Sequence, residues 1–192
     1  MTTNSNSELT NWSSQGEALP INFSKETEIN EDSRPEFQLL QAAAGGHTNA
    51  IQLLLKQGTI VDINVSTKRG VAGDSGRTAV SLAAENGYDE IITLLAAAGA
   101  DVNISTLMGY TPIFYAVARG NMQCVKVLID AKADLEASPL NTSSTPLWIA
   151  RDSSKKHRKN KQIDNSERFD AIAEVLVEAG AKQPKVNTCM IL

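Results

Sequence analysis

The chain has 192 residues, enough for one ordinary domain with a substantial core. Apolar residues make up 42% and aromatics only 5%, with alanine in short runs (Ala42-Ala43-Ala44, Ala96-Ala97-Ala98), which favours closely packed helices over a β-sandwich. The net charge of −4 argues against a globally basic nucleic-acid binder, and no apolar run reaches the ~18 residues of a membrane-spanning helix.

In chain order, residues 1–35 come first. They hold Glu8, Glu17, Glu26, Glu28, Glu31 and Asp32 against Lys25 and Arg34, so the net charge belongs to this segment and residues 36–192 are neutral. The segment is polar, lacks periodicity and is interrupted by Pro20 and Pro35. It reads as a disordered acidic tail. The first twenty residues have no apolar stretch, so no secretory signal is expected. Two cysteines, Cys124 and Cys189, fit a reducing cytosol better than a disulfide framework.

From residue 36 the chain repeats itself. Thr78-Ala79-Val80-Ser81-Leu82-Ala83-Ala84 is echoed by Thr111-Pro112-Ile113-Phe114-Tyr115-Ala116-Val117, and Thr145-Pro146-Leu147-Trp148-Ile149-Ala150 opens a third copy. An earlier copy keeps Leu40-Gln41-Ala42-Ala43, Gly46-His47 and Leu53-Leu54-Leu55-Lys56-Gln57-Gly58. Within a copy, threonine suits the N-cap and proline the first helical position, where its missing N–H is not needed. The spacing predicts a short alanine-rich helix ended by Gly46, Gly87 or Gly120. A second helix follows, with apolar residues such as Ile91, Leu94 and Leu95 on one side. Gly58, Gly99 and Gly180 then supply positive φ, and extended stretches such as Asp62-Ile63-Asn64 and Asp101-Val102-Asn103 lead to the next unit.

These units resemble ankyrin repeats, whose pattern ends as Gly99-Ala100-Asp101-Val102-Asn103 does here. The resemblance covers residues 36–182 in four units, 36–66, 67–104, 105–137 and 138–182. It implies an all-α solenoid of about four helix-turn-helix repeats with short β-turn fingers, flanked by disordered termini. Ser81, Phe114 and Trp148 stand where the family has a buried histidine, so its hydrogen bonds are expected to be altered. Lys132 replaces the left-handed glycine. The connection between the first two units is enlarged through Lys68 to Gly73. The fourth unit carries an insertion, about 152–168, read as a basic loop, with the second helix resuming at Phe169.

The family's concave face, formed by finger tips and first helices, is the expected site for another protein. The repeat pattern places Leu82, Tyr115 and Ile149 at equivalent positions, Glu85, Asn86 and Arg119 on the next turn, and Met108 and Tyr110, with Leu107, at a finger tip. Packing between repeats is an alternative role for Leu82 and Ile149. A monomer is expected.

The final four residues, Cys189-Met190-Ile191-Leu192, resemble a CaaX box, with leucine favouring geranylgeranyl. Residues 183–192 read as a flexible tail that a prenyltransferase could reach, making Cys189 the lipidation site. One lipid chain anchors marginally. Lys155, Lys156, Arg158, Lys159 and Lys161 offer a second contact, with an anionic membrane surface, or alternatively a nuclear import signal. Isoprenylation needs a eukaryotic cytosol, so the source would be eukaryotic or an intracellular bacterium whose effector acts in a host cell.

No catalytic residue, metal site or cofactor motif is found. His47 sits at a structural turn, and Cys124 falls at a core position equivalent to Ile91. The sequence therefore predicts a non-catalytic protein-binding adaptor, cytoplasmic and tethered to a membrane. The alternatives are a soluble or nuclear adaptor and an inhibitory or regulatory subunit of an enzyme.

Overall fold

The computed structural model describes residues 34–60, 62–67, 76–140, 142 and 144–182. The acidic tail up to residue 33, the enlarged connection at 68–73 and the segment holding Cys189 lie outside the described residues. Among the described residues eight helices follow one another: α1 Pro35–Gly45, α2 Thr48–Gln57, α3 Ala79–Asn86, α4 Asp89–Ala97, α5 Pro112–Arg119, α6 Met122–Asp130, α7 Pro146–Lys159 and α8 Ile163–Glu178. They form two layers. The first helix of each pair packs on the first helices of its neighbours, and the second helices do likewise.

Side-chain size explains the layering. Ala42, Ala43, Ala79, Ala83, Ala84, Ala116 and Ala150 are all buried in the first-helix layer, where small side chains let backbones approach. Larger residues fill the space between layers. Val80, Ile113 and Leu147 from successive first helices meet Ile91, Leu95, Leu128, Ile172 and Leu176 from the second, all essentially inaccessible. Each such burial stabilises by roughly 1.5–3 kcal/mol relative to exposure. The core is therefore a continuous column shared by neighbouring repeats.

The turns obey the predicted backbone chemistry. Gly46, Gly87 and Gly120 close the first helices in the left-handed region, with φ of 74°, 86° and 74°. Lys132 takes the same conformation without being glycine, at φ 66°. Capping is less uniform than the repeated threonine implies. The Thr78 and Thr145 hydroxyls accept from the backbone N–H of Ser81 and Trp148, each at 3.3 Å. The buried Thr111 hydroxyl has no hydrogen-bond partner.

Asparagine side chains tie the extended stretches together. Asn64 Oδ1 accepts from the Asp101 N–H at 2.9 Å, and Asn103 Oδ1 from the Asp134 N–H at 2.7 Å. In the last step Glu136 replaces asparagine and its carboxylate accepts from the Lys182 N–H at 2.7 Å. Asp62, Asp101 and Asp134 each fold their own turn by accepting from the N–H two residues on.

One expectation is corrected. The insertion at 152–168 is not a loop. It lengthens both helices of the last pair, so α7 has 14 residues against 8 in α3 and α5, and α8 has 16 against 9 in α4 and α6. At 1.5 Å per residue the α7–α8 hairpin overhangs its neighbours by about 9 Å. Packing between the two helices sustains it: Ser154 Oγ donates to Asp170 at 2.6 Å, Arg158 pairs with Asp170 at 2.7 Å, and His157 stacks on Phe169. At the positions of the family histidine the side-chain hydrogen bonds are altered or absent, as expected. Ser81 is buried and donates to the Thr78 carbonyl at 2.9 Å, whereas Phe114 is half-buried and Trp148 is exposed.

Lys132→Gly should raise the unfolding free energy by about 0.5–1 kcal/mol, because relief of the left-handed lysine outweighs the added chain entropy of glycine. A urea titration checks this, and the fluorescence midpoint should move upward.

Candidate functional site

The concave face is built from the β-turn fingers and the first-helix layer. Ser66 and Thr78 form an antiparallel bridge at the base of one finger. The next finger turns through Thr106 to Tyr110, with the Thr106 N–H donating to the Tyr110 carbonyl at 2.9 Å. Adjacent fingers are in direct contact. Leu140 N–H donates to the Met108 carbonyl at 3.1 Å. Gly109, at φ 85°, sits so close that a Cβ would come within 2.9 Å of the Leu140 nitrogen. Glycine is thus required there both for conformation and for space.

An interlocked polar and aromatic group occupies the centre of this face. Glu85 on α3 receives Arg77 from the finger base through one carboxylate oxygen and Arg119 from α5 through the other, the latter at 2.6 Å. The Glu85 side chain is only 13% exposed whereas Arg119 is 62% exposed. The Arg77 guanidinium lies 5.0 Å from the centre of the Tyr115 ring. Tyr110 contacts both Tyr115, edge-on at 5.9 Å, and Phe114 at 4.7 Å. Two guanidinium groups share one carboxylate, so the group carries an excess positive charge, and Arg119 presents it to solvent.

The sequence-predicted residues divide into four sets. Glu85, Tyr110, Tyr115 and Arg119 are brought together in this group. Leu82 and Ile149 are half-buried and pack against the core. Asn86 is exposed, but its amide donates to the carbonyls of Ala44 and Leu82, linking α3 to α1. Met108 is exposed at a finger tip, together with Leu107 and Leu140. Trp148, on the first turn of α7, is 42% exposed.

Sequence reasoning missed Arg77, Leu140 and the outward position of Trp148. Arg77 carried a weak signal: it precedes the capping Thr78, at the position that Tyr110 holds before Thr111 in the next repeat. Its partners are Glu85, Tyr115 and, through Glu85, Arg119, and these come together only in the fold. The exposed Leu140 sits in a polar stretch that hid it.

Of the five basic residues between 155 and 161, Lys156 is paired with Asp152 at 2.6 Å and Arg158 with Asp170. Lys155, Lys159 and Lys161 are exposed and have no carboxylate partner among the described residues. Cys124 is buried in the core beneath α6, as its repeat position predicts. Burial, reinforced by the negative charge of Asp89, pushes its thiol up to about 12. Among the described residues no group of three His, Cys, Asp or Glu side chains converges as a metal site, and no helix is long and apolar enough to cross a membrane.

A thiol held this high is almost entirely protonated at pH 8, and alkylation needs the thiolate. In a Cys189→Ser background, native Cys124 should react with iodoacetamide at least about a hundredfold more slowly than the same thiol in denaturant. Mass spectrometry of timed samples measures the difference.

Comparison with known proteins agrees with the repeat geometry. Residues 12–106 match the family model described as ankyrin repeats (3 copies), and residues 108–138 match that of a single ankyrin repeat. The first match begins inside the segment read as a tail. Mouse protein phosphatase 1 regulatory subunit 12A is 42% identical over 62 residues, 32% of this chain and 6% of its own length. Human ankyrin repeat and SOCS box protein 16 is 29% identical over 109 residues, 57% of this chain and 22% of its own. Human Rabankyrin-5 is 29% identical over 150 residues, 78% of this chain and 12% of its own. The chain thus spans less than a quarter of the length of each of these relatives. Two family models that together cover about two thirds of the sequence, on an all-helical stack of paired helices, show that the chain belongs to the ankyrin-repeat family, a protein-interaction module that is generally non-catalytic.

Proposed function

We propose that the concave face binds a protein partner that is apolar at the finger tips and acidic at the centre. The observation that carries this reading is the exposure of Leu107, Met108 and Leu140 on two fingers joined by a hydrogen bond, with Trp148 on the adjoining helix. Large apolar side chains grouped at protruding tips lose water on docking without any cost in the free fold. The central group supplies the electrostatic half. Glu85 is shared between Arg77 and Arg119, and the largely exposed Arg119 guanidinium keeps N–H groups that can meet a carboxylate of the partner.

A Leu140→Asp/Trp148→Asp double variant should lose its protein partner by at least about tenfold, as expected for charges placed in an apolar contact. Tyr115→Ala should weaken the same partner, because it removes the surface on which Arg77 rests. Quantitative affinity capture from eukaryotic cells, with unaltered thermal unfolding as the folding control, reads both. An identical partner profile for all three proteins would contradict the proposal.

A tether is the second part of the proposal. Cys189-Met190-Ile191-Leu192 supports isoprenylation of Cys189 and delivery of the bound partner to a cytoplasmic membrane surface. This part rests on those four residues of sequence. Intact mass after expression in eukaryotic cells tests it: the wild-type chain should gain an isoprenoid and enter the membrane fraction, whereas Cys189→Ser should do neither. Equal mass change and equal fractionation of the two would overturn it.

A second reading has one observation in its favour. The relative with 42% identity is by name a regulatory subunit of a phosphatase. If the bound partner is an enzyme, its turnover should change on adding the wild-type chain and not on adding the Leu140→Asp/Trp148→Asp variant.

A further inference from the structure

The overhanging α7–α8 hairpin has a surface that neither the solenoid nor the concave face explains. Lys155 and Lys159 are one helical turn apart and share a face of α7. Lys161 follows in the connecting turn at φ 59°, which carries it beyond the end of the helix. All three are exposed and without a carboxylate partner, while Lys156 and Arg158 are committed to Asp152 and Asp170. The first residue of α8, Ile163, is 63% exposed at the same tip. Asp164 and Glu167 are the exposed acidic residues nearest to it on α8, with Asp164 in the N-terminal turn, where the helix dipole favours a negative charge.

We propose that the tip of the α7–α8 hairpin is a docking surface for anionic phospholipid bilayers, with Lys155, Lys159 and Lys161 meeting lipid phosphates and Ile163 entering the acyl boundary. Shape selects a bilayer over an acidic peptide. The tip projects about 9 Å past the neighbouring helices. A flat surface can meet it without touching the rest of the solenoid, and an overhang of this size matches the depth of roughly 5–10 Å at which interfacial apolar groups sit. Composition agrees, since cations around one exposed aliphatic side chain combine the two terms of interfacial binding. The connecting turns lie at the end of the helix layer away from the fingers, so the concave face stays open while the tip is engaged. The docking rests on neither the groove nor the lipidation of Cys189.

The test uses the full chain carrying Cys189→Ser, produced in bacteria, so that no lipid is attached. Co-sedimentation with vesicles of phosphatidylcholine plus phosphatidylserine is compared with vesicles of phosphatidylcholine alone. Binding is expected only to the anionic vesicles and should weaken as salt rises. Replacing Lys155, Lys159 and Lys161 together by glutamine should lower the partition coefficient by about a hundredfold, roughly fivefold for each lysine. Ile163→Ser should lower it several-fold with the charge unchanged, which separates insertion from pure attraction. These residues are exposed, and circular dichroism should show unchanged melting for both variants. Equal binding to neutral vesicles, an unaffected triple variant, or retention by polyglutamate or duplex DNA with no binding to anionic vesicles would overturn the proposal. The Leu140→Asp/Trp148→Asp variant should bind vesicles like the parent, so failure of the groove and failure of the tip are distinguishable.

Discussion

The close approach of the first helices is the constraint on which the rest of this structure depends. Ala42, Ala43, Ala79, Ala83, Ala84, Ala116 and Ala150 occupy the seams between α1, α3, α5 and α7 and leave no room for a larger side chain. That spacing holds each finger against the next, close enough for the Leu140 N–H to reach the Met108 carbonyl. It also brings Glu85 and Arg119, 34 positions apart, within ion-pair distance across two repeats. The second helices carry bulkier residues and pack less closely on one another than the first helices do. The apolar finger tips are brought side by side by the close approach of the alanine-lined first helices.

Polar groups then fix the register that the alanines permit. The asparagine ladder from Asn64 through Asn103 to Glu136 joins each extended stretch to the next. Asn121 does the same on the helix side, its amide donating to the carbonyls of Ala84 and Glu85 at 2.9 and 3.0 Å. Each of these bonds satisfies a backbone group at a place where neither helix nor sheet supplies a partner. In a repeat stack each unit touches only its neighbours, so such bonds between neighbours, added to the shared apolar column, are what make the units cooperate.

The repeating part of the fold was legible because one short pattern states helix start, helix end and turn together. Thr111-Pro112, Gly120 and the Leu128 column could each be read locally, and even the left-handed Lys132 followed from counting along the repeat. The insertion was opaque for a physical reason. From Arg151 to Lys159 the chain is polar, and the only side chain it buries is that of Ser154, so no apolar period announces a helix. Its helicity comes from α8, through Asp170 and Phe169, and a short polar helix without such packing is unstable alone. The central group of the candidate site was half legible. Glu85, Tyr115 and Arg119 follow from the pattern, but Arg77 joins them only through the approach of α3 and α5.

The two proposed surfaces lie at opposite ends of the helix layer, the fingers at one end and the cationic tip at the other. The finger side is the proposed protein-binding side. Its most direct test is site-specific photo-crosslinking in eukaryotic cells, with the reactive residue placed either at Met108 on a finger tip or at Thr93, exposed on the outer helix α4. The account predicts a discrete protein adduct from position 108 and none from position 93. The same adduct from both positions, or from position 93 alone, would contradict it.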